Sequence, residues 1–309
     1  MKKVLFIAFA ILTGCAYLQA GGGEKVVASS GRQPKWIYGA EKGFIIVSAE
    51  AANVEDAKEK AMLNVKKHIM SSIAENVRAS AKMNSSEVGV NGKYDIIETY
   101  ESAVETESAL IPFLGEVGIS KVDEIYWEKI KKDKDTYFFR YHIKYPFSRF
   151  DLTRLSDEFT EREAKLDQQL EDFAKDDFSA YSSIEEMMKQ LQQVRIFKST
   201  LMERDPRRNT CANIEKTYSD YIKSITLRLI SINKQQLVYA PYFGENRLTT
   251  NIQPRLSSNC LSDMQYMSRG GECIVKYDFQ TACYEGEENW LDVTLNVLNN
   301  KIKNRFIVK

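Results

Sequence analysis

The sequence predicts an α+β protein built from a strand–long helix–antiparallel strands module, a helical middle and a small β-sandwich. Three observations support this. Apolar residues recur every three or four positions for about 25 residues after Asn53, and the same period returns between residues 151 and 222. From residue 223 onward, apolar and polar residues alternate instead, which is typical of half-buried strands. The length of 309 residues suits about two domains.

The first residues resemble a cleaved export signal. Lys2 and Lys3 precede an apolar run at residues 4–12, which is far shorter than the roughly 20 residues of a membrane-spanning helix. Leu12-Thr13-Gly14-Cys15 resembles a bacterial lipobox, which predicts a signal peptide of residues 1–14 and a lipid on Cys15. The alternative is cleavage after Leu18-Gln19-Ala20, which would remove residues 1–20 together with Cys15.

Residues 15–32 are rich in glycine and predict a tether between membrane and first domain. The first domain is expected over residues 33–150. It opens with a strand at residues 43–48, and Asn53 then offers an N-cap to the long helix. Paired strands are predicted at residues 117–129 and 136–145. The apolar stripe of the helix comprises Val54, Ala57, Ala61, Val65, Ile69, Ile73 and Val77. The residues that share one face of the last strand are Tyr137, Phe139, Tyr141, Ile143 and Tyr145.

These residues also carry a resemblance. The Pro34-Lys35-Trp36 opening, the glycine before the first strand, Ala57 and Ala61 in the helix, and the strand that contains Tyr137 resemble one domain of known proteins. That domain belongs to the twenty-kilodalton bacterial outer-membrane lipoprotein family and is similar to the first domain of flagellar assembly protein T. The resemblance implies an envelope location and a non-catalytic module for association with other envelope components. The segment at residues 95–113 departs from that domain, because it is longer and richer in glutamate than expected at the connection between helix and sheet.

Residues 151–222 predict helices. Asp205-Pro206 breaks the run, and Ser183-Ile184-Glu185-Glu186 is a capping box. The stripes lack a sustained heptad, which favours helices packed on one another over a coiled-coil partner surface. They comprise Leu155, Phe159, Leu166, Leu170 and Phe173; Ile184, Met187, Leu191, Val194 and Leu201; and Ile214, Tyr218, Tyr221 and Ile225.

Residues 223–309 predict the β-sandwich, with five or six short strands and a hairpin turn at Asn299-Asn300. The cysteines in this region and just before it indicate which cellular compartment the protein occupies. Cys211, Cys260, Cys273 and Cys283 form an even set, and an oxidising compartment allows disulfides among them in three connectivities. Free buried thiols and a zinc site are the alternatives, and the spacing lacks the Cys-x-x-Cys pairs that zinc favours.

The composition excludes several functions. The 43 basic and 43 acidic residues balance, so nucleic acid is not an expected partner, and removing the signal leaves a weakly acidic chain. No nucleotide-binding loop, serine-nucleophile elbow or zinc-protease helix occurs, so we expect no enzyme, cofactor or metal. Two isolated histidines, His68 and His142, suit structural roles, and Ser231 and Lys234 match a serine-enzyme spacing without its companion motifs. The carboxylates Glu98, Glu101, Glu105 and Glu107 resemble a solvated face.

The sequence therefore predicts an exported, non-enzymatic, lipid-anchored envelope protein that associates with other envelope proteins. We expect an outer-membrane lipoprotein facing the periplasm or the surface, or, if Cys15 is removed, a soluble periplasmic or secreted protein. The alternative function is binding or hydrolysis of cell-wall glycan such as peptidoglycan. Tyrosine rings stack on sugars and the chain has sixteen of them, and a glycosidase needs only two of the many carboxylates.

Overall fold

The computed structural model describes residues 24–84, 90–106, 111–133, 136–280, 283 and 287–308. The chain divides into two compact units. Unit 1 comprises Met1–Ile69 and Glu116–Leu152, and unit 2 comprises Met70–Gly115 and Thr153–Lys309. Long helices and antiparallel sheets confirm the predicted α+β class.

Unit 1 contains a four-stranded antiparallel sheet in the order β1-β3-β4-β2, so that β1 and β2 form its two edges. The strands are β1 (Lys25–Ser29), β2 (Phe44–Ala51), β3 (Glu124–Lys131) and β4 (Tyr137–Pro146). The predicted strand at residues 117–129 begins only at Glu124, because the chain first makes a turn of 3-10 helix at Ile119–Lys121. The strands predicted at residues 43–48 and 136–145 are close to β2 and β4, whereas β1 lies within residues 15–32, which the sequence predicts to be a tether.

The long helix α1 runs from Val54 to Asn84 and is longer than predicted. Its N-cap is Asn53, whose Oδ1 accepts a hydrogen bond from the Asp56 N–H at 2.9 Å, as the sequence indicates. The predicted apolar stripe is buried at Ala57, Ala61 and Val65. The boundary between the two units falls inside this helix, after Ile69.

Strand β4 is buried on both faces, which simple alternation does not predict. Tyr141, Ile143 and Tyr145 are buried on one face as expected, and His142 and Lys144 are buried on the other. The charge of Lys144 is compensated there by carboxylates. Its Nζ lies 3.1–3.3 Å from oxygens of three acidic side chains, namely Glu41, Asp123 and Glu124.

Four further helices are described: α2 (Val90–Ala103), α3 (Arg149–Ala174), α4 (Ile184–Thr200) and α5 (Arg207–Ser224). The last three lie in the region where the sequence predicts helices. Helix α2 extends into the glutamate-rich segment at residues 95–113 as far as Ala103 and buries Ile97 and Tyr100. The predicted capping box begins α4, where Ser183 Oγ accepts from the Glu186 N–H at 3.2 Å. Helices α4 and α5 pack together.

The C-terminal part of unit 2 holds two antiparallel sheets. One follows the order β5-β6-β10-β9 with β7 beside β6, and the other follows β12-β11-β8. Their strands are β5 (Thr226–Ile232), β6 (Gln236–Phe243), β7 (Asn246–Arg247), β8 (Arg255–Ser258), β9 (Leu261–Arg269), β10 (Glu272–Phe279), β11 (Asn289–Val297) and β12 (Asn300–Val308).

The two sheets share one hydrophobic core with α4 and α5, and Tyr239 of one sheet lies 5.8 Å from Phe306 of the other between ring centroids. The helical middle and the β-rich part, which the sequence divides at residue 222, therefore lie in one unit. The predicted hairpin turn is displaced by one residue. Asn300 pairs with Val297, so the turn residues are Leu298 and Asn299, and Leu298 adopts a φ of 55°.

Candidate functional site

The predicted lipidation site and signal peptide lie outside the described residues, so Cys15 remains an expectation. Of the four later cysteines, Cys260 and Cys283 form a disulfide with a Cα–Cα distance of 5.1 Å. Cys211 and Cys273 are buried free thiols. Burial raises the pKa of both thiols, so neither is a reactive nucleophile at neutral pH.

The two histidines differ in their surroundings. His68 is an exposed residue of α1. His142 is buried in β4, where its Nε2 lies 3.9 Å from Glu128 Oε1 and makes no hydrogen bond within the described part of the chain. Burial lowers the pKa of His142, against the opposing charge of Glu128. The expectation of a fully hydrogen-bonded structural histidine is therefore not met at Nε2.

A group of charged side chains in unit 2 surrounds the buried Arg207, and we call it the Arg207 cluster (Tyr100, Glu163, Asp167, Asp205 and Arg207). Arg207 Nη2 lies 2.7 Å from both Glu163 Oε2 and Asp205 Oδ2, and Nη1 lies 3.2 Å from Asp167 Oδ1. Tyr100 donates to the second oxygen of Glu163 at 2.6 Å. Both oxygens of the Glu163 carboxylate are thus occupied.

Burial raises the pKa of Glu163, and the charge of Arg207 opposes that shift. Burial and the neighbouring Glu163 also raise the pKa of Tyr100 above its usual range. A carboxylate that accepts from both Tyr100 and Arg207 is committed to those contacts and is not placed to move a proton. These contacts assign the cluster to the stability of unit 2.

Beside the cluster lies a cavity of about 320 Å³. Its walls are mostly apolar and include Val77, Ile96, Ile97 and Phe159, while Glu163 and Asp167 contribute carboxylates from α3. A concave apolar space with a few polar groups is the usual form of a ligand site. Here Glu163 and Asp167 already hold Arg207, and the third lining carboxylate, Glu171, pairs with Lys175 at 2.9 Å, so the described carboxylates of the cavity are engaged within the protein.

A second cavity, of about 430 Å³, lies in unit 1 along the outer edge of the sheet. We call it the edge groove; it is lined by Ile46, Val47 and Ser48 of β2 and by Asn64, Lys67 and His68 of α1. Asn64 Nδ2 donates to the Ser48 carbonyl at 3.0 Å, and this contact holds the helix alongside the strand. The described lining residues include two basic side chains and no carboxylate. The groove thus combines a strand edge with a lysine and a histidine.

Within the described ranges, no group of three or more His, Cys, Asp or Glu side chains is arranged to hold a metal ion. Over the same part of the chain, none of the helices combines the length and the apolar character that crossing a membrane requires. Glu101, one of the carboxylates interpreted as solvated, instead pairs with Arg78 at 2.8 Å, and Glu107 lies outside the described residues.

Comparison with known proteins gives no match, whether against protein-family models, curated proteins or solved structures. Sequence reasoning missed both the Arg207 cluster and the edge groove. The cluster left one signal, because Glu163 lies four residues after Phe159, on the apolar stripe of α3. The edge groove left none, because it depends on which side of β2 pairs with β4.

Proposed function

We propose that this protein is exported to the cell envelope, is anchored there by a lipid on Cys15, and works without catalysis by binding other envelope proteins. The observation that carries the proposal is the edge groove of unit 1, where β2 is an edge strand of the described sheet and lies beside a helix. Open sheet edges are sites at which another chain adds a strand. The resemblance of residues 33–150 to an envelope association domain agrees with this role.

Export is supported by the cysteines as well as by the leader. A disulfide such as Cys260–Cys283 persists in oxidising compartments and is rare in a reducing cytosol. Labelling with a palmitate analogue tests the anchor. We expect wild-type protein to be labelled and Cys15→Ala to be unlabelled, and equal labelling of the two would overturn the anchor.

Association is tested by a photo-cross-linking amino acid placed at Lys67, which lines the edge groove. Lys189 serves as the matched control because it is an exposed lysine of α4. Irradiation of intact cells should give discrete protein adducts from position 67 and none of the same size from position 189. Absence of adducts at position 67, or retention of the protein on purified peptidoglycan in their place, would refute the proposal in favour of glycan binding.

A further inference from the structure

One face of the sheet in unit 1 carries lysines and aromatic rings at the end where β1 begins. Residues that are directly paired in neighbouring strands share a face, and successive residues of a strand alternate between faces. Lys25 of β1 is paired with Lys131 of β3, Lys131 with Tyr137 of β4, and Lys129 with Phe139. We call this area the basic face; it comprises Lys25, Trp127, Lys129, Lys131, Tyr137 and Phe139.

The aromatic rings of the basic face lie against its ammonium groups. Lys129 Nζ lies 4.7 Å from the centre of the Tyr137 ring and 5.6 Å from that of Phe139, and Lys131 Nζ lies 5.6 Å from the Tyr137 ring. Tyr137 is 39% exposed, and the half-buried Trp127 ring lies 6.0 Å from that of Phe139 between centroids. Lysines together with amphipathic rings are the residues that proteins place at a membrane–water interface.

The lysines of the basic face have no acidic partner. Over the described ranges, none of Lys25, Lys129 and Lys131 forms an ion pair with a carboxylate. Lys25 is exposed, and the other two are half-buried. The connection between β3 and β4, at residues 132–135, carries two lysines and two aspartates, whose formal charges cancel. The face therefore keeps the positive charge of its own three lysines.

The carboxylates of the neighbouring strand positions lie on the opposite face of the sheet. Glu128 is paired in register with Arg140, and both alternate with residues of the basic face. Arg140 Nη1 lies 3.4 Å from Glu128, and its Nη2 lies 3.2 Å from Glu24 and 2.6 Å from Glu50. Arg140 thus holds these three carboxylates away from the lysines.

Helix α1 contributes the remaining acidic residues near the basic face. It begins at Val54, shortly after Ala51, which is paired with Phe139. Residues 55–60 carry three acidic and two basic side chains, and Glu55 pairs with Lys58 at 2.7 Å. This turn has one net negative charge, which is smaller than the charge of the three lysines.

The chain enters the sheet beside the basic face. Lys25 is the first residue of β1 and stands ten positions after Cys15. Ten fully extended residues span at most about 35 Å. A lipid on Cys15 keeps the face within that distance of the bilayer, where contact with the surface becomes an intramolecular event. This part of the inference rests on the proposed anchor, whereas the charges and rings of the face do not.

We propose that the basic face of unit 1 binds an anionic bilayer surface, with its three lysines against lipid phosphates and Tyr137 at the level of the headgroups. The inference goes beyond the proposed function, because it assigns the membrane itself as a ligand of unit 1. Two basic faces repel each other, so a symmetric contact between two copies through this face is disfavoured. Lysines near an anionic surface each strengthen binding about fivefold.

The test uses the leader-free chain that begins at Gly21, which keeps every described residue and carries no lipid of its own. It is sedimented with vesicles of phosphatidylcholine alone or with phosphatidylglycerol as about a third of the lipid. We expect binding to the anionic vesicles and little to the neutral ones. Binding should fall steeply as the salt concentration rises from about 0.05 M to about 0.5 M.

Substitutions locate the contact. The triple variant Lys25→Gln, Lys129→Gln and Lys131→Gln should weaken binding to anionic vesicles about tenfold or more, and Lys25→Gln alone about fivefold. The matched control is Lys35→Gln with Lys42→Gln and Lys189→Gln, which removes the same charge from exposed lysines outside the face and should stay within about twofold. Circular dichroism verifies folding, and the single variant at the exposed Lys25 remains decisive if the triple variant does not fold.

Three outcomes would overturn the proposal. One is equal binding to neutral and anionic vesicles, and another is an equal loss of binding in the two triple variants. The third is self-association, measured by light scattering, that the substitutions in the basic face abolish, because the face then contacts another copy of the chain.

The two proposals fail separately. Vesicle binding by the leader-free chain requires neither a lipid on Cys15 nor a partner protein, so a negative labelling or cross-linking result leaves it unchanged. If Cys15 is labelled and position 67 gives protein adducts while the leader-free chain does not bind anionic vesicles, the proposed function stands and this inference is wrong.

Discussion

Replacement of Arg207 by methionine should destabilise unit 2 severely. The Arg207 side chain is 6% exposed and contacts three carboxylates, of which Asp205 and Glu163 are 2% and 11% exposed. Methionine fills similar volume but leaves both buried carboxylates without their counter-charge. Removing one member of such a pair costs about 3–5 kcal/mol of unfolding free energy.

The assay is urea unfolding of the full chain, together with its melting temperature. At 2–4 °C per kcal/mol for a domain of this size, we expect a decrease of roughly 6–20 °C. Arg195→Met is the matched control, because Arg195 is 42% exposed and pairs with Glu215 at 3.3 Å on the surface. That variant should lose no more than about 1 kcal/mol.

A second substitution separates lost charge from lost packing. In the Arg207→Met background, Glu163→Gln removes the unpaired charge and keeps an oxygen that accepts from Tyr100. The double variant should recover about 1–3 kcal/mol relative to Arg207→Met. If it is no more stable, or if Arg207→Met behaves like Arg195→Met, the reasoning from buried charge is refuted.

The pH dependence supplies an independent check. Burial already holds the pKa of Glu163 above its unfolded value, so the folded state binds this proton more tightly than the unfolded state does. Stability attributable to this group therefore falls as the pH rises between the two pKa values. Loss of Arg207 raises the folded pKa further, and the deficit of Arg207→Met should shrink as the pH is lowered from about 7 to about 5. A deficit that is constant with pH would contradict this assignment.

Three further predictions concern the C-terminal half. The disulfide joins cysteines 23 residues apart, so the double substitution Cys260→Ser with Cys283→Ser should lower the unfolding free energy by about 3 kcal/mol. Urea titrations with and without reductant measure this loss, and reductant should not destabilise the double variant any further. Cys211 and Cys273 should resist iodoacetamide in the native protein and react only on unfolding, which intact-mass analysis measures; native labelling would contradict their burial. Hydrogen bonds from Arg305 lower the pKa of Asp292 to about 2. The stabilisation that the ionised Asp292 provides is therefore complete above about pH 4 and disappears as the pH falls towards about 2. Asp292→Asn should reduce the loss of unfolding free energy between these pH values, which urea unfolding at a series of pH values measures.

The helices and alternating strands were predictable because burial imposes a period on the residues that carry it. The stripe from Ala57 to Ile73 is buried throughout, and the capping groups Asn53 and Ser183 accept the bonds that their residue types favour. Helix α2 escaped prediction because its glutamates indicated solvent, although Tyr100 and Ile97 among them are buried. Strand β4 shows the same limit, since three carboxylates distant in sequence compensate the charge of Lys144 and allow its burial.

The edge groove shows why a surface cavity can escape prediction from a sequence whose strands and helices are predictable. Residues 44–51 predict a strand whichever side it pairs on, and a shift of one residue would turn Ile45 and Val47 outward in place of Ile46 and Ser48. The choice of which alternate residues of β2 face β4 is visible where the Phe147 N–H donates to the Gly43 carbonyl, a contact between residues at opposite ends of the module. The make-up of the groove depends on that choice, because Asn64 then reaches the Ser48 carbonyl and Lys67 lines the same groove as Ile46. The set of residues that lines the groove therefore follows from strand register, which no local pattern of residues encodes.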